Sequence, residues 1–519
     1  MKNALVLGGL LVVAVGCAGG AGNTPPVTPA PPAPAEAADG AEPGVSGVWA
    51  LPTGPRDASA SAIEAGEVRT EAWAKAVKVK GVAPAPASCA AFAKPAAPKG
   101  AESDLSAALL EGDASKRNAL LFAIESAKPE LAPTLRAMRA ELAPIECADA
   151  ITDPPLAAAP TAAGVAGQRT IGLSLASKLA RTAANAPVMK DAGDKEKVKR
   201  FIQGPLRQWM VEQASAIDTL SAPAGELSGL ARGVVAVEAG MADLRLVDRI
   251  RSAPTPSSWD KELRAIYEVA LDEALEPRKV RGRDAALVGL ADFAAAGIVR
   301  DPRIDRARAL LSKLYGGRRI DALDGLLLPP AEALPKTIPE TALLLVPADA
   351  KGREPYAQLN VPAPAPVKSA RARFEMGRRY WRRVDFVEAA HAAAKSPSPD
   401  ARLVLALSLA LAKGPNGPKE MMSATSPAAI GLTDTGALDA LEREDPALAG
   451  MAAYDAAHLR ALSPPDGEAA GPYFADVAAR FRRAAGLLED AGQKKRAEER
   501  AADAEAASRA AGLGKLGDL

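Results

Sequence analysis

The chain has 519 residues, and its 64 lysines and arginines nearly balance its 63 aspartates and glutamates, for a formal net charge of +1. A chain this close to neutrality lacks the basic surface that displaces counterions from nucleic acid, so we predict no nucleic-acid partner. Only 4% of residues are aromatic, whereas alanine, the strongest helix former, is abundant. Composition therefore favours an all-α fold, and the length suffices for about two to four domains.

The first 17 residues have the pattern of an export signal. Lys2 precedes an apolar run, residues 4–15, that is too short to span a bilayer, and small residues lead from it to Cys17. With its cysteine directly after Gly16, the segment resembles the signal of bacterial lipoproteins. That resemblance implies that Cys17 is acylated, carries palmitate and becomes the mature N-terminus. The alternatives are an ordinary secretory signal with a chance cysteine and an uncleaved signal anchor.

The lipoprotein resemblance also implies a location. The protein would be anchored by its N-terminal lipid in a membrane of the cell envelope. Ala18 occupies the position where an aspartate keeps many lipoproteins in the inner membrane. Its identity therefore favours the outer membrane, with the protein facing the periplasm.

Residues 18–45 consist largely of proline, alanine and glycine and have almost no large apolar side chain. Such a segment cannot bury a core, so we predict a disordered tether. At ~3.1 Å per residue it would extend up to roughly 85 Å. Residues 46–100 follow, with Trp49 and Trp73 as their large anchors, and we expect one or two short helices there.

The chain has three cysteines. If Cys17 carries lipid, Cys89 and Cys147 remain, and an exported chain with two remaining thiols favours a disulfide between them. The bridge would close a loop of 58 residues. The alternative is a pair of free, buried thiols.

Helical periodicity predominates from Ser103 to about Gly317. A first apolar stripe has alternating spacings of four and three residues, with Pro133 in its first turn and Pro144 at its end. Its members are Leu131, Leu135, Met138, Leu142 and Ile145. A second stripe should stop at Pro277. It consists of Leu263, Ile266, Tyr267, Ala270, Leu271 and Ala274.

A helical hairpin is predicted next. Its first helix has Leu287, Leu290, Ala291 and Ala294 on one face. Gly297 follows at the position of a C-terminal glycine, and Asp301 and Pro302 have the pattern of an N-cap and first helical residue. The second helix has Ile304, Ala307, Leu311 and Leu314 on one face and should end at Gly316 and Gly317. A connection of about four residues predicts antiparallel packing of the two helices.

Prolines concentrate in residues 329–366, which we interpret as a connector between two domains. A short apolar run within it, residues 343–346, fits either a strand or a buried helix. The predicted organisation is a signal peptide (1–17), the tether (18–45), an N-terminal helical domain (46–328), the connector (329–366) and a C-terminal helical domain (367–519).

Residues 370–413 resemble one tetratricopeptide repeat and half of the next. Met376, Gly377 and Tyr380 match small and large positions of the first helix, and residues 385–390 match the turn and the small packing residue of the second. Residues 401–407 would open the next unit. We place one face of the first helix on Ala370, Phe374, Gly377, Trp381 and Val384. The resemblance implies a hairpin that buries its faces by stacking on neighbours, as in an α-solenoid.

Two further helices are predicted near the C-terminus. The first has an apolar stripe, formed by Phe474, Val477, Phe481, Ala484 and Leu488. Residues 493–511 combine alanine with charge and have no large apolar residue, so we expect a weakly packed, solvated helix.

No catalytic, cofactor or metal motif is recognisable. His391 and His458 are the only histidines, and they do not form a metal-binding pattern. A carboxylate pair for glycan cleavage would have to come from acidic residues of the helices. The candidates are Glu102, Glu125, Glu130, Glu141 and Glu146. We predict no catalytic residues, no cofactor, no metal and no identifiable small-molecule substrate.

Arginines surround two aromatic residues in the repeat-like segment. Arg378, Tyr380, Arg382 and His391 are therefore candidates for binding an acidic partner. The alternative is a solvated helix face on which acidic neighbours neutralise the arginines.

These features predict a tethered, all-α array of helical hairpins. The favoured function is a non-enzymatic scaffold or assembly factor for an envelope protein complex, such as those of secretion, pili, gliding motility or outer-membrane assembly. The alternatives are an enzyme acting on peptidoglycan or another polysaccharide and a lipoprotein that passively binds the cell wall.

Overall fold

The computed structural model is all-α apart from one short pair of strands. It describes residues 66–96, 105–189, 194–253, 255–298, 301–315, 319–329, 370–396, 398–423 and 434–512. Cys17, the tether, Trp49, Gly316 and Gly317 lie outside these residues. Of the predicted connector, only its first residue is described. The all-α prediction is confirmed for the part of the chain that the structure describes.

The N-terminal elements surround one antiparallel strand pair. They are β1 (Glu67–Arg69), α1 (Thr70–Ala76), α2 (Cys89–Ala93), α3 (Leu105–Leu110), α4 (Ala114–Ala127), α5 (Ala132–Leu142), α6 (Ala148–Ala158), β2 (Thr161–Ala163) and α7 (Gly164–Ala180). Val68 pairs with Ala162, so the start of the described chain is fixed beside α7. Trp73 is buried, and its indole N–H donates to the Ser174 hydroxyl of α7 at 2.8 Å.

The apolar stripe predicted from Leu131 to Ile145 is present, but it extends beyond one helix. Leu135 and Met138 are fully buried on α5, with Pro133 in its first turn. Leu131 and Ile145 lie in 3-10 turns that flank α5. Proline at 144 ends the regular hydrogen bonding, as the sequence predicts.

The central elements form the longest helices. They are α8 (Lys195–Phe201), α9 (Arg207–Ser221), α10 (Gly229–Arg251), α11 (Lys261–Ala295) and α12 (Pro302–Leu314), with a π-turn (Ile202–Leu206) joining α8 to α9. Helix α10 packs along α11 and also against α7, α9 and α12. It is therefore the centre of this part of the molecule.

Glycines set the close approach of α10 and α11. A Cβ at Gly240 would lie 2.5 Å from the main-chain nitrogen of Ala286 and 2.6 Å from the carbonyl of Gly282. Gly233 and Gly289 form a similar contact. Gly233 lies seven residues before Gly240 on α10 and Gly289 lies seven residues after Gly282 on α11, so the two helices run antiparallel. Any side chain at these positions would force the helices apart.

The prediction that Pro277 stops a helix is wrong. Helix α11 continues through Pro277 to Ala295. The proline ring lies on the exposed side of the helix, and the residues that follow it are held by α10 and α9. Arg278 donates to Asp243 of α10 at 2.8 Å and to Asp218 of α9 at 2.9 Å. Tertiary contacts on both sides of the proline thus offset the missing backbone hydrogen bond.

The end of α11 and the start of α12 lie where the sequence predicts them, but the predicted packing of these two helices against each other is wrong. Gly297 has a φ of +73°, and the Asp301 carboxylate accepts the N–H of Arg303, as predicted for a C-terminal glycine and an N-cap. However, α12 packs mainly on α10 rather than against α11. The close glycine contacts between α10 and α11 make these two helices the hairpin instead.

The C-terminal elements continue the array. They are α13 (Ala370–Tyr380), α14 (Arg383–Ala393), α15 (Pro399–Leu411), α16 (Pro418–Ser423), α17 (Gly436–Glu444), α18 (Ala449–Ala461), α19 (Ala470–Leu487) and α20 (Ala491–Gly512). Helices α13 and α14 form a hairpin, and α15 packs on both. A Cβ at Gly377 would lie 2.8 Å from the ring of Phe386, so this small residue permits the close contact.

Trp381 and Val384 do not belong to the face of α13, contrary to the expectation. The helix ends at Tyr380, and Trp381 has a left-handed φ of +50°. The N–H of Arg382 then donates to the carbonyl of Gly377, which closes the helix end. A tryptophan in this conformation is strained, and its burial holds it there.

The expectation of a weakly packed, solvated helix after residue 493 is wrong for one narrow face of α20, whereas most of its other residues are exposed as expected. Ala497, Ala501 and Ala504 of α20 are buried against α18 and α19, beside Phe481 and Val477. Their spacing of four and three residues forms one narrow face. Alanine faces allow helices to approach closely, so the absence of large side chains favours this contact.

One hydrophobic core links the residues on both sides of the predicted connector. It extends from Val68 to Leu459 and includes Leu323 and Phe374. Leu327 belongs to a neighbouring cluster with α18, α19 and α20. Among the described residues, the two predicted domains therefore pack against each other.

Candidate functional site

Two aromatic residues of the repeat-like segment contact the N-terminal part of the chain. Tyr380 is buried, and its hydroxyl donates to the carbonyl of Ile298 at 2.8 Å. The indole of Trp381 donates to the carbonyl of Ile320 at 2.7 Å. Tyr380 therefore has no exposed surface with which to meet a partner.

The two candidate arginines are also engaged within the chain. Arg378 forms an ion pair with Glu375 at 2.5 Å, and Arg382 pairs with Asp385 at 3.0 Å and donates to the carbonyl of Ala294 at 3.1 Å. Only His391 is exposed. The structure does not bring the four candidate residues together on one exposed face.

What α14 and α15 do expose is a pair of apolar stripes. On α14, Val384 is 50% exposed, and Val387 and His391 follow it on the same side. On α15, Leu409 is 49% exposed and Leu405 lies one turn before it. Most other residues of α15 are buried. We call Val384, Val387, His391, Leu405 and Leu409 the α14–α15 surface.

Sequence reasoning named His391 but missed the apolar members of this surface. It assigned Val384 to one face of the first repeat helix and interpreted residues 401–407 only as the start of the next unit. The periodicity itself held a signal. Leu405 and Leu409 lie among buried residues in a stretch, residues 403–411, that is apolar except for Ser408, which indicates more apolar surface than the neighbouring helices cover.

Cys89 and Cys147 lie within disulfide distance. Their Sγ atoms are 2.00 Å apart, and the residues are 58 positions apart in the chain. The bridge joins the first residue of α2 to the turn before α6. The carbonyl of Phe92 in α2 also accepts hydrogen bonds from Asn118 and Arg139, each at 2.9 Å. Helix α2 is thus held covalently and by buried polar side chains.

A buried polar cluster lies between α6 and α7. The Asp149 carboxylate accepts from Arg181 at 2.5 Å and from Lys178 at 2.8 Å. Burial opposes its ionisation, but the hydrogen bonds from Arg181 and the charge of Lys178 lower the pKa of Asp149 to about 2. A carboxylate that is permanently ionised and surrounded by cations is suited to structure rather than to proton transfer.

Two of the candidate glutamates are engaged by arginines. Glu125 is bound by Arg139 at 2.5 Å and by Arg136 at 2.9 Å. Glu141 faces Arg169 at 3.7 Å. Glu125 and Glu141 are thus held by different arginines, and Glu102 lies outside the described residues. A retaining or inverting pair needs two carboxyl groups that face one sugar-binding cleft.

The second histidine is a core residue. His458 of α18 is buried, and its Nε2–H donates to the carbonyl of Ala322 at 2.9 Å. Burial lowers its pKa to about 4. One turn earlier, the buried Asp455 carboxylate accepts the N–H of Leu327 at 2.7 Å, and burial raises its pKa well above the usual value. Both residues fix segment 319–329 on α18.

The part of the chain that the structure describes includes two concave regions of interest. The first, of about 550 Å³, lies between α2 and α4. Its lining combines apolar residues such as Phe92 and Leu120 with polar ones that include Glu111, Lys116 and Asn118. The second, of about 370 Å³, lies between α17 and α19 and is lined by Asp439, Asp476 and Arg480 among other charged residues. Arg480 bridges the two aspartates at 3.0 and 2.9 Å, so these carboxylates are paired.

The described ranges contain no group of three or more histidine, cysteine, aspartate or glutamate side chains that could hold a metal ion. Within the same ranges, every helix is too short or too polar to cross a lipid bilayer. Comparison with protein-family models, curated proteins and solved structures gave no match to this chain.

Proposed function

We propose that this protein is a non-enzymatic lipoprotein of the cell envelope that binds a protein partner through its helical array. The signal-like N-terminus ending in Cys17 supports membrane anchoring, and the Pro/Ala-rich residues 18–45 would give the helical part its reach. The observation that carries the binding proposal is the α14–α15 surface, where Val384 and Leu409 are half exposed.

The polar side chains of the described residues support a binding role over catalysis. The carboxylates with a strongly shifted pKa are Asp149, Asp243 and Asp455, and all three are buried. Burial raises the pKa of Asp243 to about 6, but Arg278 and Arg281 cover it. A catalytic acid must meet its substrate in a cleft, whereas these groups face neighbouring helices.

Photo-crosslinking in cells tests the proposal. A photoreactive residue is placed at Val384 or at Leu409, with Leu487 of α19 as the control because it is also an exposed large hydrophobic residue, 44% exposed. Mass spectrometry then identifies the adducts. A shared envelope protein at Val384 and Leu409, absent at Leu487, would support the scaffold. Adducts with peptidoglycan alone, or none at either position, would contradict it.

A further inference from the structure

Several exposed hydrophobic side chains lie at one end of the central helices. Among the described residues, Val188, Val211, Ile266 and Val269 are 82%, 53%, 53% and 69% exposed. They form a majority of the large hydrophobic residues that the described chain exposes. Single exposed residues are common, but several of them at one end indicate an interaction surface.

Polar contacts place the start of α9 and the tip of α11 at this end, because Arg245 near the end of α10 donates to the carbonyl of Leu179 at the end of α7 at 2.8 Å. The start of α9 lies at the C-terminal end of α7, because Trp209 donates to the carbonyl of Ala184 at 3.3 Å. The end of α10 lies beside the first half of α11, because Arg251 pairs with Asp272 at 3.0 Å. Residues 261–270 of α11 therefore extend beyond the last residue of α10.

The segment from Val198 to Val211, which includes the π-turn, is amphipathic. Val198 and Leu206 are buried and fix it on the protein. Further apolar side chains along it are only partly covered. These are Phe201, Ile202, Trp209 and Met210, and Val211 is exposed. We call residues 198–211 the α8–α9 segment.

Basic side chains accompany these apolar ones. Lys199, Arg200 and Arg207 are exposed, and Lys199 and Arg207 form no ion pair with any described residue. Residues 194–212 contain five basic and three acidic side chains, although basic and acidic residues balance in the chain as a whole. The tip of α11 differs, since Glu262 and Glu268 are exposed there.

We propose that the α8–α9 segment contacts the surface of an anionic phospholipid membrane. Partly exposed aromatic and aliphatic side chains beside lysine and arginine are the composition of helices that lie in a membrane interface. Positive charge near the surface strengthens binding to anionic lipids. The proposal rests on the lipid anchoring in the proposed function, because a tethered protein is held near the membrane where even a weak contact forms. It orients the molecule with this end toward the lipid.

Tryptophan quenching by brominated lipids tests the contact. The full-length lipidated protein is reconstituted in vesicles of phosphatidylcholine, with or without phosphatidylglycerol, that carry bromine on their acyl chains. The difference between wild type and Trp209→Phe isolates the signal of Trp209. We expect quenching of this signal on vesicles that contain phosphatidylglycerol.

Charge reversal distinguishes a lipid contact from a structural effect. In Lys199→Glu/Arg207→Glu the equilibrium constant for contact of the α8–α9 segment with the anionic surface, measured by the quenching of Trp209, should fall about fivefold for each basic side chain lost. The control Arg383→Glu/Arg443→Glu changes the charge equally at exposed residues elsewhere and should keep the wild-type quenching. Unquenched Trp209 in vesicle-bound protein, or quenching that is equal in both variants, would overturn the proposal.

A separate flotation assay tests whether the protein is anchored by lipid. Lipidated protein should float with vesicles at ~1 M salt, where screening removes surface electrostatics. If it does not float, the proposed acylation of Cys17 is wrong. In that case the full-length protein, which then carries no lipid, is tested for binding to the vesicles at low salt. Binding that requires phosphatidylglycerol and is lost in Lys199→Glu/Arg207→Glu would still support the α8–α9 segment, and no binding would refute it.

Discussion

Acid should weaken the attachment of segment 319–329 to α18 through one side chain, His458. The neutral ring donates from Nε2 to Ala322 in a buried site, and the folded protein lowers the pKa of His458 from 6.5 to about 4. The unfolded chain thus takes up the proton first as the pH falls. Stability from this group is complete above about pH 6.5 and is lost between that value and about 4. From pH 7 to pH 4.5 the loss amounts to about 2 to 3 kcal/mol.

The assay uses the fact that His391 and His458 are the only histidines. With ¹³C-labelled histidine, NMR titration gives two ring signals, and His391→Gln assigns them. Urea unfolding at each pH then compares wild type with His458→Gln, whose amide can still donate to Ala322 but does not titrate. Asp455 is present in both proteins, so its opposite pH dependence cancels. A His458 signal that titrates near pH 6.5, or equal pH dependence of unfolding in both proteins, would refute the reasoning.

Three further predictions concern packing, the disulfide and the signal. Gly240→Val should prevent α10 from packing against α11, and circular dichroism should then show an unfolded protein. At Gly486 a Cβ meets nothing within 4 Å, so Gly486→Ala should raise the free energy of unfolding by up to about 1 kcal/mol. Cys89→Ser should lower the free energy of unfolding by about 4 kcal/mol, because the bridge that closes a loop of 58 residues is lost. Non-reducing peptide mapping should find Cys89 joined to Cys147, and free, alkylated thiols at both positions would disprove the bridge. Cys17→Ala should abolish metabolic labelling with palmitate and leave an uncleaved precursor; persistent labelling would exclude Cys17 as the lipid site.

The end of α11 and the start of α12 were predictable because the signals that form them are local. Asp301 and Pro302 begin α12, and Gly297 ends α11, through interactions within a few residues. Each depends on the backbone preference of one residue or on a side chain that reaches a nearby N–H. The stripe centred on Leu135 and Met138 was predictable for the same reason, since its period requires only regular helical geometry.

The candidate site was less predictable. Arginine and aromatic residues around Tyr380 indicated a partner-binding face, but in the structure they meet Ile298, Ala294 and neighbouring acidic residues. A sequence shows that a side chain is able to bind and does not show whether its own chain already occupies it.

The sequence by itself determined the fold class, the near-neutral charge, the helix caps and the pairing available to Cys89 and Cys147. Only the tertiary structure decided that α11 continues through Pro277, that α10 is its hairpin partner and that the alanines of α20 form a packed face. Relative to alanine, a residue inside a helix costs up to about 1 kcal/mol of helix stability for most residue types and about 3 kcal/mol for proline. Packing of a whole helix face combines many contacts, so it exceeds a single local preference and sets the final arrangement.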